Sequence, residues 1–388
     1  MTKVLFISTG LEKIRDGPVI SGGDVRWLEI AKEWQKLGIQ IHILTDQNAG
    51  KEFCEKMKLQ GEIHYHFMRY SLEYNKIGSI MRVVNSFRIP KELKNFDGII
   101  YSSTEIAHDV IPGMLIKRKN PKSTFVVVSH FVAPLRRKGS SVLNSLMFFL
   151  GDRLGYFVAK RYANLILAVS HPTKEAILRE IGVPEEILRV VSCGLDYHRI
   201  REIATQVKEK QYEGIFMKRL EATKGVFDII EIWKEVVKKC PSFKLILVGN
   251  VSEKNCAKLN QMIKDYSLQK NVVIKGPIYE FEQKINVLCH SKLFLLPSHE
   301  ENWAIVVGEA LGCGTPVICY GLQEIKPIWE DKVIWIQKDD KKAFATAILK
   351  LLEDNQKQEM MQKMGVEFVE RYDWRKIAED ELNLVVGK

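Results

Sequence analysis

Short, continuously apolar runs alternate with longer amphipathic segments over nearly the whole chain. The runs are Val4–Ser8, Ile39–Thr45, Gly98–Ser102, Thr124–Ser129 and Leu165–Ser170, then Glu213–Met217, Phe243–Val248, Val272–Lys275, Leu293–Leu296 and Pro316–Cys319. The segments between them, Asp24–Leu37 and Val226–Lys239 among them, carry apolar residues near the 3.6-residue helical spacing. Strands without polar alternation must be covered on both faces, which is the condition of parallel sheets flanked by helices. The chain therefore reads as α/β and doubly wound. At 388 residues it exceeds a single core of roughly 100–200 residues. The pattern restarts after "VVSCGLDYHRI", near Asp196, which predicts two doubly wound domains facing each other, 1–196 and 197–370.

Composition narrows the setting. With 46% hydrophobic and 27% charged residues the chain reads as soluble and globular. Its net charge of +10, from 58 basic and 48 acidic side chains, favours anionic ligands such as phosphates or a phospholipid surface. No nucleic-acid partner is expected. The seven cysteines include no C-x-x-C pair, which fits reduced thiols in a cytoplasmic protein. "MTKVLFISTG" reads as a first buried strand entering a glycine loop, not as a signal peptide. The most apolar uncharged stretch, Gly139 to Gly151, falls short of the ~20 residues a spanning helix needs.

In doubly wound sheets ligands bind beyond the carboxyl ends of the strands, so strand-to-helix loops hold the candidates. "GPVISGGDVRW" puts Gly22-Gly23 just ahead of a helix, where backbone amides and the helix dipole can approach a phosphate. A flexible loop is the plain alternative, and without G-x-G-x-x-G a nicotinamide cofactor is unsupported. "FMKRLEATKGV" places Arg219 and Lys224 before Gly225 in the first loop of the second half. An arginine fork and a lysine point charge suit a diphosphate; the ordinary alternative is a solvated basic loop.

Two acids stand in "SHEENWAIVVGEALGCGTPVI". Glu301 fits a capping box with Ser298, at a helix expected to begin near Asn302 or Trp303. Glu309 has no such role, because its helical neighbours Ile305, Val306, Gly312 and Cys313 are apolar or small. A carboxylate there is unfavourable unless hydrogen-bonded. Ribose hydroxyls would satisfy it.

Glu301 and Glu309, with "NWAIVVG" between and "ALGCGTPVI" after, resemble the E-x7-E signature of the retaining glycosyltransferases of family 4. That family, the group 1 glycosyl transferases, has the GT-B fold: two facing Rossmann-like domains with a cleft between them. The resemblance runs along most of the chain in the family's order. Gly22-Gly23 matches its first-loop glycines, and His130 in "VVVSHF" matches the histidine beside the transferred sugar. "LILAVSHPTKEAI" is similar to its last N-terminal strand and the turn after it. "VVSCGLD" is similar to the hinge, "KRLEATKG" to G-R-L-x-x-x-K-G, and "VVIKGPI" to the turn beside the nucleotide base. "RYDWRKIAEDELNLVV" resembles the final helix that crosses back onto the first domain, anchored by Trp374, so 371–388 is assigned to that crossing.

The resemblance implies retaining, metal-independent transfer of a hexosyl group from a UDP- or GDP-linked sugar, with no other cofactor. The acceptor would be a glycan or lipid-linked hydroxyl on the first domain. Arg219 and Lys224 would hold the diphosphate and stabilise the leaving group. Glu309 would bind the ribose, and Glu301 with the amides of Trp303, Ala304 and Ile305 would hold the sugar hydroxyls. His130 would sit across the cleft near the reacting carbon, while Gly249, Pro277 and Ile278 complete the donor site. Three departures stand out. Cys193 replaces the hinge Asn, and Lys218 replaces the Gly before Arg219; both changes are expected to alter backbone shape more than chemistry. "ENWA" replaces E-G-F-G, which puts Asn302 and Ala304 at glycine positions and leaves the sugar's identity open.

No D-x-D loop or metal-ligand cluster is evident, and His64-x-His66 reads as one face of a strand. Retention would proceed by attack on the leaving-group face. An epimerase or phosphorylase of the same fold would lack or displace the Arg219, Lys224 and E-x7-E set. A non-catalytic nucleotide-sugar scaffold would keep Glu309 and tolerate loss of His130. Acting as a glycosidase pair, Glu301 and Glu309 would be roughly 12 Å apart by helical rise, beyond the ~5–9.5 Å that chemistry uses. Finally, "APLRRKGSSVLNSLMFFLGDRLGYFVAKRY" joins Arg136 to Lys138 to Leu146, Met147, Phe149, Leu150 and Phe157, with Arg153, Lys160 and Arg161 continuing the charge. Such a helix either lies in an anionic membrane interface, making the protein peripherally membrane-bound, or packs its apolar face in the first domain's core.

Overall fold

The computed structural model describes every residue except 1, 15–16, 20, 48, 57–58, 60, 69–75, 137–141 and 388. It divides into two compact units, Met1–Gly194 with Trp374–Lys388, and Leu195–Asp373.

The first unit is built on seven strands: β1 (Lys3–Ser8), β2 (Gln40–Thr45), β3 (Ile63–Phe67), β4 (Ile99–Ser102), β5 (Thr124–Ser129), β6 (Leu165–Ala168) and β7 (Leu188–Val190). All pair in parallel, in the order β3-β2-β1-β4-β5-β6-β7. Val4 to Ile7 are completely buried, as a central strand covered on both faces requires. Among the helices are α1 (Gly22–Lys36), α2 (Lys76–Asn85), α3 (Ala107–Lys119) and α4 (Val142–Tyr162). The chain winds outward from β1 to β3, then returns to the other side of β1 with β4. The loops after β1 and β4 therefore part at this switch point, where such sheets bind ligands.

The second unit repeats the plan with β8 (Tyr212–Met217), β9 (Leu245–Val248), β10 (Val272–Lys275), β11 (Ser291–Leu296), β12 (Val317–Tyr320) and β13 (Val333–Ile336). Their order is β10-β9-β8-β11-β12-β13, again parallel. The helices that bear on the site are α5 (Val226–Lys239), α6 (Phe281–Cys289) and α7 (Ile305–Gly312).

All ten strands expected from the sequence are present, with slightly shifted ends. The strands it did not single out are β7 and β13, together with a short hairpin of Glu12–Ile14 and Gly17–Val19. β3 was legible only as the alternating His64-x-His66 face. The reason is burial: β3 and β13 are edge strands, largely only half-buried, and so lack a continuous apolar run.

Helix α8 (Trp374–Val386) packs on α1 in the first unit. Trp374 is buried, but a polar clamp fixes the register. Arg26 and Glu381 are both fully buried, with Nη2 and Oε2 2.6 Å apart. Arg26 Nη1 donates to the Tyr101 hydroxyl at 2.8 Å, and that hydroxyl donates to Glu381 Oε1 at 2.5 Å. The Trp34 indole N–H donates to the Ala378 carbonyl at 2.8 Å. A buried pair of this kind adds little net stability but selects one docking arrangement, since every misaligned one strands a charge. No described helix is long and apolar enough to cross a membrane.

Candidate functional site

In the second unit the loops after β8 and β11 meet at the carboxyl edge of the sheet. Gly225 makes their approach possible: it adopts φ +81°, and a Cβ there would stand 1.8 Å from the Pro297 carbonyl oxygen. Gly249, at φ +151°, similarly lets the β9 loop pass the Lys218 carbonyl, which a Cβ would meet at 1.8 Å.

Three charges converge as a result. Lys218 Nζ donates to Glu301 Oε2 at 3.0 Å, and Lys224 Nζ lies 3.3 Å from Glu301 Oε1 while donating to the Glu300 carbonyl at 2.6 Å. The Ser298 hydroxyl donates to Glu301 Oε1 at 3.0 Å. Glu301 is only 6% exposed. Burial alone would push its carboxyl up, but Lys218 and Lys224 outweigh it and hold it below the usual carboxylate range. Burial, with Lys224 and Arg219 adding to it, lowers the Lys218 ammonium against the pull of Glu301. Arg219 is more exposed and reaches Glu221 at 3.2 Å. Pro277 and Ile278 lie just beyond β10, exposed and half-buried respectively.

Four sequence expectations change here. Lys218 does more than adjust backbone shape: it pairs with Glu301. Glu301 is not in a capping box. Helix α7 begins at Ile305 rather than near Asn302 or Trp303, and its cap residue Ala304 is left-handed (φ +61°, ψ +60°) with no side-chain cap. That conformation costs an L-residue roughly 1–2 kcal/mol, which explains why a glycine suits this position. Glu309 is not without a protein partner, because Lys284 on α6 donates to its Oε1 at 2.5 Å. Because Glu301 precedes the helix, helical rise does not set its separation from Glu309. A glycosidase acid needs a raised pKa, which the depressed Glu301 lacks. Among the described residues the amides of Trp303, Ala304 and Ile305 find no intramolecular acceptor, so they are available to a ligand.

One group has the composition of a metal site, which the sequence did not reveal. Asp228, His299 and Asp339 bring ligand atoms within 4.8 Å of one another. Asp228 is already engaged, with Lys341 Nζ at 3.4 Å and the Tyr320 hydroxyl donating at 3.1 Å. A cation there would face the Lys341 ammonium.

In the first unit, His130 follows β5. Its amide donates to Glu105 Oε2 at 3.0 Å, and its Nε2–H donates to the Ser103 carbonyl at 3.0 Å. Burial, reinforced by Arg26, lowers its pKa to about 4, so the ring is neutral. Glu105 is pushed up to about 8, by burial and then by Asp152. Gly22 and Gly23 lie inside the first turn of α1 rather than ahead of it. Ser21 caps that turn and pairs reciprocally with Asp24, whose carboxyl burial raises to about 6. Gly23 makes room for His130, whose Nε2 would stand 3.0 Å from a Cβ.

Sequence reasoning passed over a second histidine, at the switch point itself. Asp109 accepts from the Thr9 amide at 2.7 Å, the Thr9 hydroxyl at 2.8 Å and the Thr104 hydroxyl at 2.7 Å. His108 Nδ1 lies 3.1 Å from Asp109 Oδ1. The His108 ring is 17% exposed. The readable signal was His-Asp in "EIAHDV", just after the β4 run.

Two family models match this chain: "Glycosyltransferase Family 4" over residues 20–199 and "Glycosyl transferases group 1" over residues 199–368. The uncharacterized glycosyltransferase MJ1059 of Methanocaldococcus jannaschii is 29% identical over 173 residues, 42% of this chain and 41% of its own length. The O-antigen chain mannosyltransferase RfbU of Salmonella typhimurium is 24% identical over 252 residues, 61% of this chain and 66% of its own length. The chain thus spans less than two thirds of these relatives. The structure of Anabaena Alr3699/HepE in complex with UDP and glucose superposes with TM-score 0.75 at 18% identity, covering 100% of both chains. Both sheet orders and both family models agree: the chain belongs to the group 1 glycosyltransferases and has the GT-B fold.

Proposed function

We propose that the protein transfers a hexosyl group from a nucleotide-diphosphate sugar to a hydroxyl acceptor, with retention at the anomeric carbon. One observation carries the reading: Lys218 and Lys224 converge on buried Glu301 at the sheet edge, beside free amides at the start of α7. Arg219 and Lys224 take the diphosphate, whose charge grows as the glycosidic bond breaks, and fixed cations stabilise that charge without reorganising. The ion pairing is then supplied by side chains and needs no metal. Glu309, paired with Lys284, accepts from the ribose hydroxyls. Glu301 and the amides of Trp303, Ala304 and Ile305 hold the sugar. Gly249, Pro277 and Ile278 frame the nucleotide.

Retention follows if the acceptor oxygen attacks from the face the diphosphate leaves. The anomeric carbon–phosphate oxygen bond breaks, the new glycosidic bond forms, and the acceptor proton passes to the departing phosphate. Alr3699/HepE is solved with UDP, glucose and UDP-glucose. The GDP-mannose:cellobiosyl-diphosphopolyprenol alpha-mannosyltransferase of Xanthomonas campestris, 22% identical over 209 residues, acts on a lipid-linked acceptor, as its name states. These support a UDP- or GDP-linked donor and a glycan or lipid-linked acceptor. The test is release of nucleoside diphosphate from radiolabelled UDP-glucose and GDP-mannose by the full chain. Release that Arg219→Ala abolishes supports the transferase, whereas tight donor binding without turnover, with or without membrane extract as acceptor, would leave a binding scaffold instead.

A further inference from the structure

Helix α4 buries one face and leaves a long apolar stripe outside the core. Its buried positions are Ser145, Asp152, Gly155, Tyr156, Val158 and Ala159. Leu143, Leu146, Leu150, Leu154 and Phe157 recur at three- and four-residue spacing and are 39–68% exposed. A helix covering a core would bury that stripe. Its neighbour α2 does the same: Ile80 and Val84, with Phe87 just past its end, are 52–56% exposed. The two helices touch, so the stripes are carried by neighbouring helices of the first unit. Single exposed hydrophobic residues are ordinary, but two stripes of large side chains on neighbouring helices mark an interaction surface.

The charge around this face selects the partner. Lys160 and Arg161 are exposed on the last turn of α4, Arg88 is exposed beyond α2, and Arg136 is exposed ahead of α4. The single acid on α4, Asp152, is completely buried, and α2 has no acid. A second copy of the chain would bring like charges together around a two-fold contact. An anionic bilayer supplies both complements: acyl chains for the leucines and phenylalanines, lipid phosphates for the cations. We infer that α2 and α4 form a membrane-docking face that seats the first unit in the headgroup region of an anionic bilayer. The inference deepens the reading of a lipid-linked acceptor, which it would place at the surface where the protein docks. Residues Arg137 and Lys138 of the expected basic cluster lie outside the described residues, and the inference does not use them.

The experiment is co-sedimentation of the full chain with vesicles of 30% phosphatidylglycerol in phosphatidylcholine and with pure phosphatidylcholine vesicles. Binding should be strong to the anionic vesicles at low salt and weak to the neutral ones. Removing two surface cations in Lys160→Gln/Arg161→Gln should weaken it about 30-fold, at about tenfold per 1.4 kcal/mol. Leu150→Glu/Phe157→Glu should abolish it. Both positions are exposed, so melting should stay unchanged. The UDP-induced thermal shift, measured alongside, should also be unchanged, so failure of docking and failure of the donor reading are distinguishable. No binding to anionic vesicles at low salt, or binding indifferent to Leu150→Glu/Phe157→Glu, overturns the inference. So does a dimer that the same substitutions dissociate while vesicles stay unbound.

Discussion

Replacing Glu301 by glutamine tests whether its carboxylate neutralises the two lysines. The substitution keeps the shape and the contact with Ser298 but removes the charge facing Lys218 Nζ at 3.0 Å and Lys224 Nζ at 3.3 Å. Removing one partner of a buried ion pair costs about 3–5 kcal/mol. The lysine side chains keep 19% and 14% exposure, so water relieves part of the strain and the lower end, about 3 kcal/mol, applies. For a unit of this size that lowers the melting temperature by about 6–12 °C. Because a nucleoside diphosphate would replace the missing anion, the stabilisation by saturating UDP or GDP should be larger in the variant than in the parent. The pH dependence carries a sign as well. Glu301 is held below its ordinary value of 4.5, so its contribution is complete above that value and is lost as pH falls through the lower folded one. Scanning calorimetry from about pH 2 to 8, with and without nucleotide, reads both effects. A variant melting within 2 °C of the parent at pH 7 would refute the reasoning.

Arg219→Ala should lower donor turnover by about 10²–10³-fold while shifting stability by less than about 0.5 kcal/mol, because the side chain is largely exposed; near-normal rates would remove it from the diphosphate site. Glu309→Ala should weaken UDP or GDP binding about 10–100-fold, the worth of a charge-assisted hydrogen bond. Its effect on folding should be small, since Lys284 is 28% exposed and can turn to water; unchanged affinity in calorimetric titration with a large stability loss would make Glu309 structural. Glu105, raised from 4.5 to about 8, should make the parent lose stability as pH rises from about 5 to 8, by about 1.4 kcal/mol per pH unit. Glu105→Gln should flatten that slope in chemical denaturation, and an unaltered slope would show the carboxyl to be ionised when folded.

The chain's own sequence determined the two parallel sheets, because unbroken apolar runs such as Val4–Ile7 leave a strand no stable place but the centre of a covered sheet. It also marked the acid pair, since Glu301 and Glu309 are anomalous against immediate neighbours. Both signals are local. What it left out was the partners that lie far away along the chain. Lys218 and Glu301 are 83 residues apart, Lys284 and Glu309 25, Arg26 and Glu381 355, and Thr9 and Asp109 100. Lys218 looked like a change of backbone shape because the acid it pairs with, Glu301, lies 83 residues away. Glu309 looked abandoned because its cation comes from another helix. The leucines of α4 have a core-helix pattern, and only packing showed that the opposite face, with Ser145 and Asp152, is the buried one. Strand order decides which loops end at one edge of a sheet, and so which charges meet there. That order is a property of the folded chain as a whole, and no periodicity along a single element encodes it.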